Sequence, residues 1–231
     1  MMIRLVQAVG ISAALVFVVA LYMEFGLGSF VQIGGPGERL PGGFRGHVLA
    51  MEFVRNGDDV ERVVGPPGHV NRETMRRKIN VDFVWIGCYT LLFFLVAVLL
   101  AGRGVPSSIY MAAVAFICAA SAAGFDVVEN RGMLGAMELP KERATAEALQ
   151  FIREAALLKW ALSYVAVGVL ALTFFGGDRW VSSVGYFFAA AAVSFAGLWH
   201  HPLIGLSVLP LVLGLLLLAV QALKRPEAFL R

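Results

Sequence analysis

The chain has 231 residues, of which 59% are hydrophobic and only 15% are Asp, Glu, Lys or Arg. Soluble domains run nearer about 45–50% apolar and about 25% charged, so this composition excludes an ordinary soluble domain and selects a polytopic membrane protein. The formal net charge of +3 is dispersed among acids, with no basic stripe interleaved with aromatics. Membrane lipid, and not nucleic acid, is therefore the expected partner, with other membrane subunits as further partners.

Six apolar runs cover 5–23, 81–101, 107–128, 155–175, 180–199 and 202–223. A hydrocarbon core about 30 Å thick takes roughly 20 helical residues, and each run reaches that length. Alternation with a period of two, which a transmembrane barrel requires, is absent. The expected fold is all-α: one membrane domain over 1–231, a polytopic transmembrane helical bundle of about six spans, with short amphipathic helices capping one face. The first run is longer than the roughly 7–15 residues of a signal-peptide core and reads as a retained helix.

The long connection 26–80 is read as a lid. Gly26, Gly28, Gly34, Gly35, Pro36, Gly37 and Pro41 break any helix at its start. From His47 to Val64, the residues Leu49, Phe53, Val60, Val63 and Val64 fall near helical spacing, interrupted at Asn56-Gly57. That pattern predicts two short amphipathic helices, with Asp58 as an N-cap and Gly65 as a stop. Asn71 is expected to cap the helix that runs into the second span.

The third run is expected to end at Arg131-Gly132, where Gly-rich turn material begins. A helical extension over 140–154, opened by Pro140, then leads into the fourth run. Alanine-rich stretches at 112–124 and 189–192 let helices approach closely, which places the third and fifth runs at the centre of the bundle. Trp85, Trp160, Trp180 and Trp199 fall near span ends, as an aromatic belt requires. Cys88 and Cys118 lie inside spans and read as packing residues, with no spacing for a metal site.

The ionisable residues carry the functional argument. Glu24 closes the first run, Asp82 opens the second, Asp126, Glu129 and Asn130 close the third, Lys159 lies one turn inside the fourth, and His200-His201 separates the last two. A serpentine chain brings all of them to one membrane face. Asp126, Glu129 and Asn130 stand at i, i+3 and i+4 and share a helix face. Two acids at a helix C-terminus oppose the macrodipole, so a functional reason for them is expected. Lys159 is positioned to neutralise Glu24, Asp82 or the Asp126–Glu129 pair.

Glu24, Asp82, Asp126, Glu129, Asn130, Lys159 and His200 are therefore the candidate binding residues. The other face carries Arg4, Arg103, Arg179, Lys224, Arg225 and Arg231, and the remaining Lys and Arg lie with the large loops. The positive-inside rule then places the large loops in the cytoplasm of a multi-pass protein of the cell (inner) membrane.

At Asp126-x-x-Glu129-Asn130 followed by Lys159-Trp160, the chain resembles small uncharacterised bacterial polytopic membrane proteins whose third span ends in Asp-x-x-Glu-Asn. The resemblance spans the second to fourth runs and implies a site at this motif, with no named activity. In helix count and one-sided polarity the chain also resembles membrane-embedded ceramidase-like hydrolases, although their three spaced metal histidines are absent.

No GxSxG, P-loop, Rossmann or HExxH motif is present, so an enzyme is not the leading expectation and no cofactor is predicted. The expected function is a polar pocket at one membrane face that binds a lipid headgroup, a small amphiphile or a membrane partner subunit. A metal-assisted lipid hydrolase is the alternative; its divalent metal would draw on Glu24, Asp126, Glu129, His200 and His201. A small-solute transporter is the second alternative.

Overall fold

The computed structural model describes residues 1–33, 40–102, 106–175, 179–193, 198 and 204–230. Among them the regular structure is helical: α1 Met2–Leu21, α2 His47–Glu52, α3 Gly57–Val64, α4 Val70–Ala101, α5 Pro106–Glu138, α6 Ala146–Phe174, α7 Arg179–Val193 and α8 Ile204–Lys224. The helices α1, α4, α5, α6 and α8 are long and apolar enough to cross a membrane, α1 with a further π-helical turn to Gly26. The fifth apolar run appears as α7, whose apolar part is shorter than a full span among the described residues.

The long helices and α7 close a ring in chain order. α4 packs on α1 and α5, α5 on α6, α6 on α7, α7 on α8, and α8 returns to α1. Small residues make these crossings close. A Cβ on Gly10 would lie 3.0 Å from the Ala222 side chain, and one on Gly185 would lie 2.9 Å from the Ala171 carbonyl oxygen. Among the described helices the main contacts follow this ring, and α5 and α7 each pack on their two neighbours in it, which corrects the expectation that the third and fifth runs stand at the centre. In α5, Ala112, Ala115, Ala119 and Ala122 are buried, while Ala113, Ser121 and Gly124 are exposed.

Three helices outrun the bilayer. α4 has 32 residues and α5 has 33, so each is about 48–50 Å long against a hydrocarbon core of about 30 Å. α6, with 29 residues, projects on the same side. Their projecting turns carry Met75, Ile79, Met133, Met137, Leu149 and Ile152, which form a second apolar core with Phe44, Met51, Phe53, Val60, Val63 and Val64 of the lid. Each of these larger side chains, buried from water, contributes about 1.5–3 kcal/mol before entropy is counted. The lid is thus held by its own core as well as by polar straps.

The straps are specific. Arg153 donates to the Val54 carbonyl at 3.0 Å, and Arg72 donates to the carbonyls of Gly65, Pro66 and Met137. Lys141 pairs with Asp58 at 2.6 Å and with Glu61 at 3.1 Å. The Asn71 side-chain amide pairs with Val31 in both directions, N–H to Oδ1 and Nδ2 to carbonyl, each at 2.8 Å. It therefore docks the first part of the lid in the manner of a neighbouring strand.

Several local expectations are corrected. Asn71 does not cap α4, because its side chain is committed to Val31; His69 Nδ1 accepts from the Asn71 N–H instead. Asn56, and not Asp58, caps α3 by accepting from the Asp59 N–H at 2.9 Å. Gly65 ends that helix at φ +80°, as its residue type suggested. The third run does not stop at Arg131: α5 continues through Gly132 and Gly135 to Glu138. A Cβ on Gly132 would lie 2.7 Å from the Ile152 and Phe151 side chains, so this glycine allows α6 to approach and does not mark a turn. Pro140 precedes a short 3₁₀ turn at Lys141–Arg143, and α6 starts later, capped by Thr145.

Candidate functional site: a carboxylate cage around Lys159

The site forms where α4, α5 and α6 leave the hydrocarbon and α2 lies across them. Lys159 stands about 22 Å along α6 from Phe174, at about 1.5 Å per residue, which places it toward the lidded face. Its Nζ lies 2.8 Å from Glu129 Oε1, 3.0 Å from Glu52 Oε1 and 3.3 Å from Asp126 Oδ1. All four residues are buried, Glu129 completely and Lys159 at 7% exposure. Three carboxylates thus converge on one ammonium from α2 and α5.

A polar shell orients these groups. Trp160 donates its indole N–H to Glu52 Oε2 at 2.8 Å, so both Glu52 oxygens are engaged by α6. Tyr89 donates its hydroxyl to Asp126 Oδ2 at 3.2 Å, and Asn130 donates its amide to Asp82 Oδ2 at 2.7 Å. The two α4 residues are seven apart and so share a face, opposite the i, i+3, i+4 face of α5. The Lys159 ammonium also lies 5.2 Å from the Trp160 ring centroid, in cation–π range.

The acids exceed the cations. Glu52, Asp126 and Glu129 surround Lys159, with Asp82 beside them, and among the described residues no other Lys or Arg comes within ion-pair distance of these carboxylates. Burial pushes the Glu52 carboxyl above its ordinary range, against the opposing pull of Lys159 and Trp160. Several uncompensated anions in one dry site are costly, so the site favours a proton or a further cation. One polar atom carries that demand visibly: Glu129 Oε2 is buried with no hydrogen-bond partner among the described residues, although Oε1 holds Lys159.

The structure therefore brings Asp126, Glu129 and Lys159 into one cluster, with Asp82 and Asn130 hydrogen-bonded at its edge. Glu24 does not join. Its side chain is 74% exposed and lies 3.9 Å from Lys78 Nζ, which donates to the Met23 carbonyl. His200 and His201 lie outside the described residues. Asp126 and Glu129 do not end their helix, as their place before Arg131-Gly132 suggested: both sit inside α5, away from its C-terminal dipole.

Three participants escaped the sequence reading: Glu52, Tyr89 and Trp160. Glu52 is the one charge in the apolar stretch Val48–Val54, and that isolation was an available signal. Tyr89 lies seven residues after Asp82 on the same face. Trp160 belongs to the cage and not to an aromatic belt, and Trp85 is packed against Tyr89 with its ring N–H buried and unpartnered. The Trp180 side chain and Trp199 fall outside the described residues.

Among the described residues, no group of three or more His, Cys, Asp or Glu side chains is arranged to hold a metal ion. Comparison with known proteins finds no matching family model, no similar curated protein and no similar solved structure. The chain is an integral membrane protein by its five long apolar helices.

Proposed function

We propose that this membrane protein binds the polar head of an amphiphile beneath the lid, with the Lys159 cage as the receptor. The observation that carries the reading is that Glu52 belongs both to the lid and to the cage. Moving α2 to admit a ligand breaks the contacts that close the site, so head binding and lid position are coupled. The site lies where a lipid presents its head, and the apolar walls of α4, α5 and α6 continue below it into the hydrocarbon. A binding role needs no nucleophile.

The metal-assisted alternative draws no support from this geometry, because the exposed Glu24 lies beside Lys78 whereas Asp126 and Glu129 are buried around Lys159. Transport draws little, because the ionisable groups gather at one face and not at the midplane.

Native mass spectrometry of the protein released from lipid nanodiscs tests the proposal. The expected result is a stoichiometric amphiphile adduct whose occupancy falls about tenfold or more in Asp126→Asn, the loss that one charge-assisted hydrogen bond predicts. A folded protein that carries no adduct, or an adduct unchanged by Asp126→Asn and Glu52→Gln alike, refutes it.

A further inference from the structure

We infer that the head taken by this site is a primary ammonium, so that the ligand is a cationic amine-bearing amphiphile. The inference rests on the binding reading above and names its ligand class.

Four acids and one lysine meet in a buried site, and an anionic head would add to the excess. A neutral head would leave it unchanged. An ammonium lowers it, and offers three donors to a site whose supply of acceptors exceeds its donors. The cage already demonstrates the geometry: Glu129, Glu52 and Asp126 hold the Lys159 ammonium at 2.8–3.3 Å.

Glu129 Oε2 supplies the specific docking atom. It is buried on a fully buried side chain and meets no donor among the described residues, while the other oxygen of the same carboxylate is committed to Lys159. An ammonium at Oε2 satisfies it and offsets charge in the same contact. Where the cage holds a proton beforehand, the incoming cation displaces it, and the carboxylate left behind receives an N–H in place of the proton.

The test uses the intact protein in nanodiscs with three probes of equal chain length: dodecylammonium, dodecanol and dodecyl phosphate. Affinities are read after correction for partition into protein-free nanodiscs. Dodecylammonium is expected to bind about tenfold or more tighter than dodecanol, the ratio that one charged hydrogen bond provides. Glu129→Gln, which keeps the shape and removes the charge, is expected to abolish that ratio. Asp126→Asn is the second variant should Glu129→Gln fail to fold, and it is expected to reduce the ratio.

Propylammonium, which has the same head without the long chain, separates a membrane amphiphile from a free amine. Weak binding of propylammonium supports the amphiphile, and binding as tight as dodecylammonium overturns it. Preference for dodecyl phosphate, or equal binding of the amine and the alcohol, overturns the ammonium inference and leaves the binding site standing. Absence of binding by all three probes, in a protein that also carries no native adduct, overturns the site itself.

Discussion

Replacing Lys159 by Met removes the one ammonium from the cage and keeps most of the side-chain volume. Three carboxylates then lose their shared cation, and Glu129, the most deeply buried of them, loses the side-chain partner it has among the described residues. Removing one member of a buried ion pair costs about 3–5 kcal/mol, because the remaining charge stays desolvated. At about 2–4 °C per kcal/mol for a chain of this size, the expected fall in Tm is roughly 6–20 °C.

Glu129→Gln makes the opposite prediction. Glu52 and Asp126 still balance Lys159, the amide oxygen can still accept from it, and the anionic excess shrinks. Its expected effect lies within about 1 kcal/mol of the wild type or is stabilising, since one hydrogen bond is weakened while a buried charge is relieved. Thermal unfolding in detergent, followed by tryptophan fluorescence, measures both. The charge-excess reasoning fails if Glu129→Gln is as damaging as Lys159→Met, or if Lys159→Met is neutral.

Asn71→Ala removes both hydrogen bonds to Val31 from a fully buried position; because Val31 itself is exposed and its backbone can turn to water, about 0.5–1.5 kcal/mol of local docking is lost for each bond, and limited proteolysis near residues 27–33 is expected to accelerate. Gly132→Ala forces the Ile152 and Phe151 side chains aside, and a loss of about 1–3 kcal/mol in unfolding free energy is expected, whereas Gly135→Ala, whose Cβ would meet open space inside the helix, is expected to gain about 0.5–1 kcal/mol. The hydrogen bond from Lys141 holds the Asp58 carboxyl below its ordinary value of 3.8. The stabilisation this pair gives the lid is therefore present above that value and is lost as pH falls through the lowered one. Lid proteolysis should show a difference between wild type and Asp58→Asn at neutral pH that vanishes in acid and shrinks in high salt, because the pair is exposed.

Hydropathy and spacing were enough to read the helical class, the gathering of ionisable residues near one end of the runs and the shared face of Asp126 and Glu129, a pair that stood beside Glu24 and Asp82 as alternative partners for Lys159. Each follows from a property that a linear chain carries openly: run length against bilayer thickness, the position of charges within runs, and the i, i+3, i+4 face. Turn chemistry was a poorer guide. Gly132 and Gly135 looked like the end of a helix because glycine disfavours helix interiors, yet in α5 Gly132 makes room for α6, and tertiary contact outweighed local propensity. Asn71 has the residue type of a cap, but the Val31 backbone forty residues away claimed its amide.

Composition and order along the chain thus determined that this is a membrane bundle with its ionisable residues toward one end. Only the packed structure decided which acids share the lysine. Glu24 and Glu52 are both lone acids next to apolar sequence, and nothing in their local surroundings separates them. Glu52 enters the cage because the apolar face of α2 docks on the projecting turns of α4, α5 and α6, which carries its carboxylate to within 3.0 Å of Lys159. Glu24 stays in solvent because the end of α1 packs beside Lys78 instead. Hydrogen bonds act over about 3 Å, and which groups come that close depends on the side-chain packing of several helices at once.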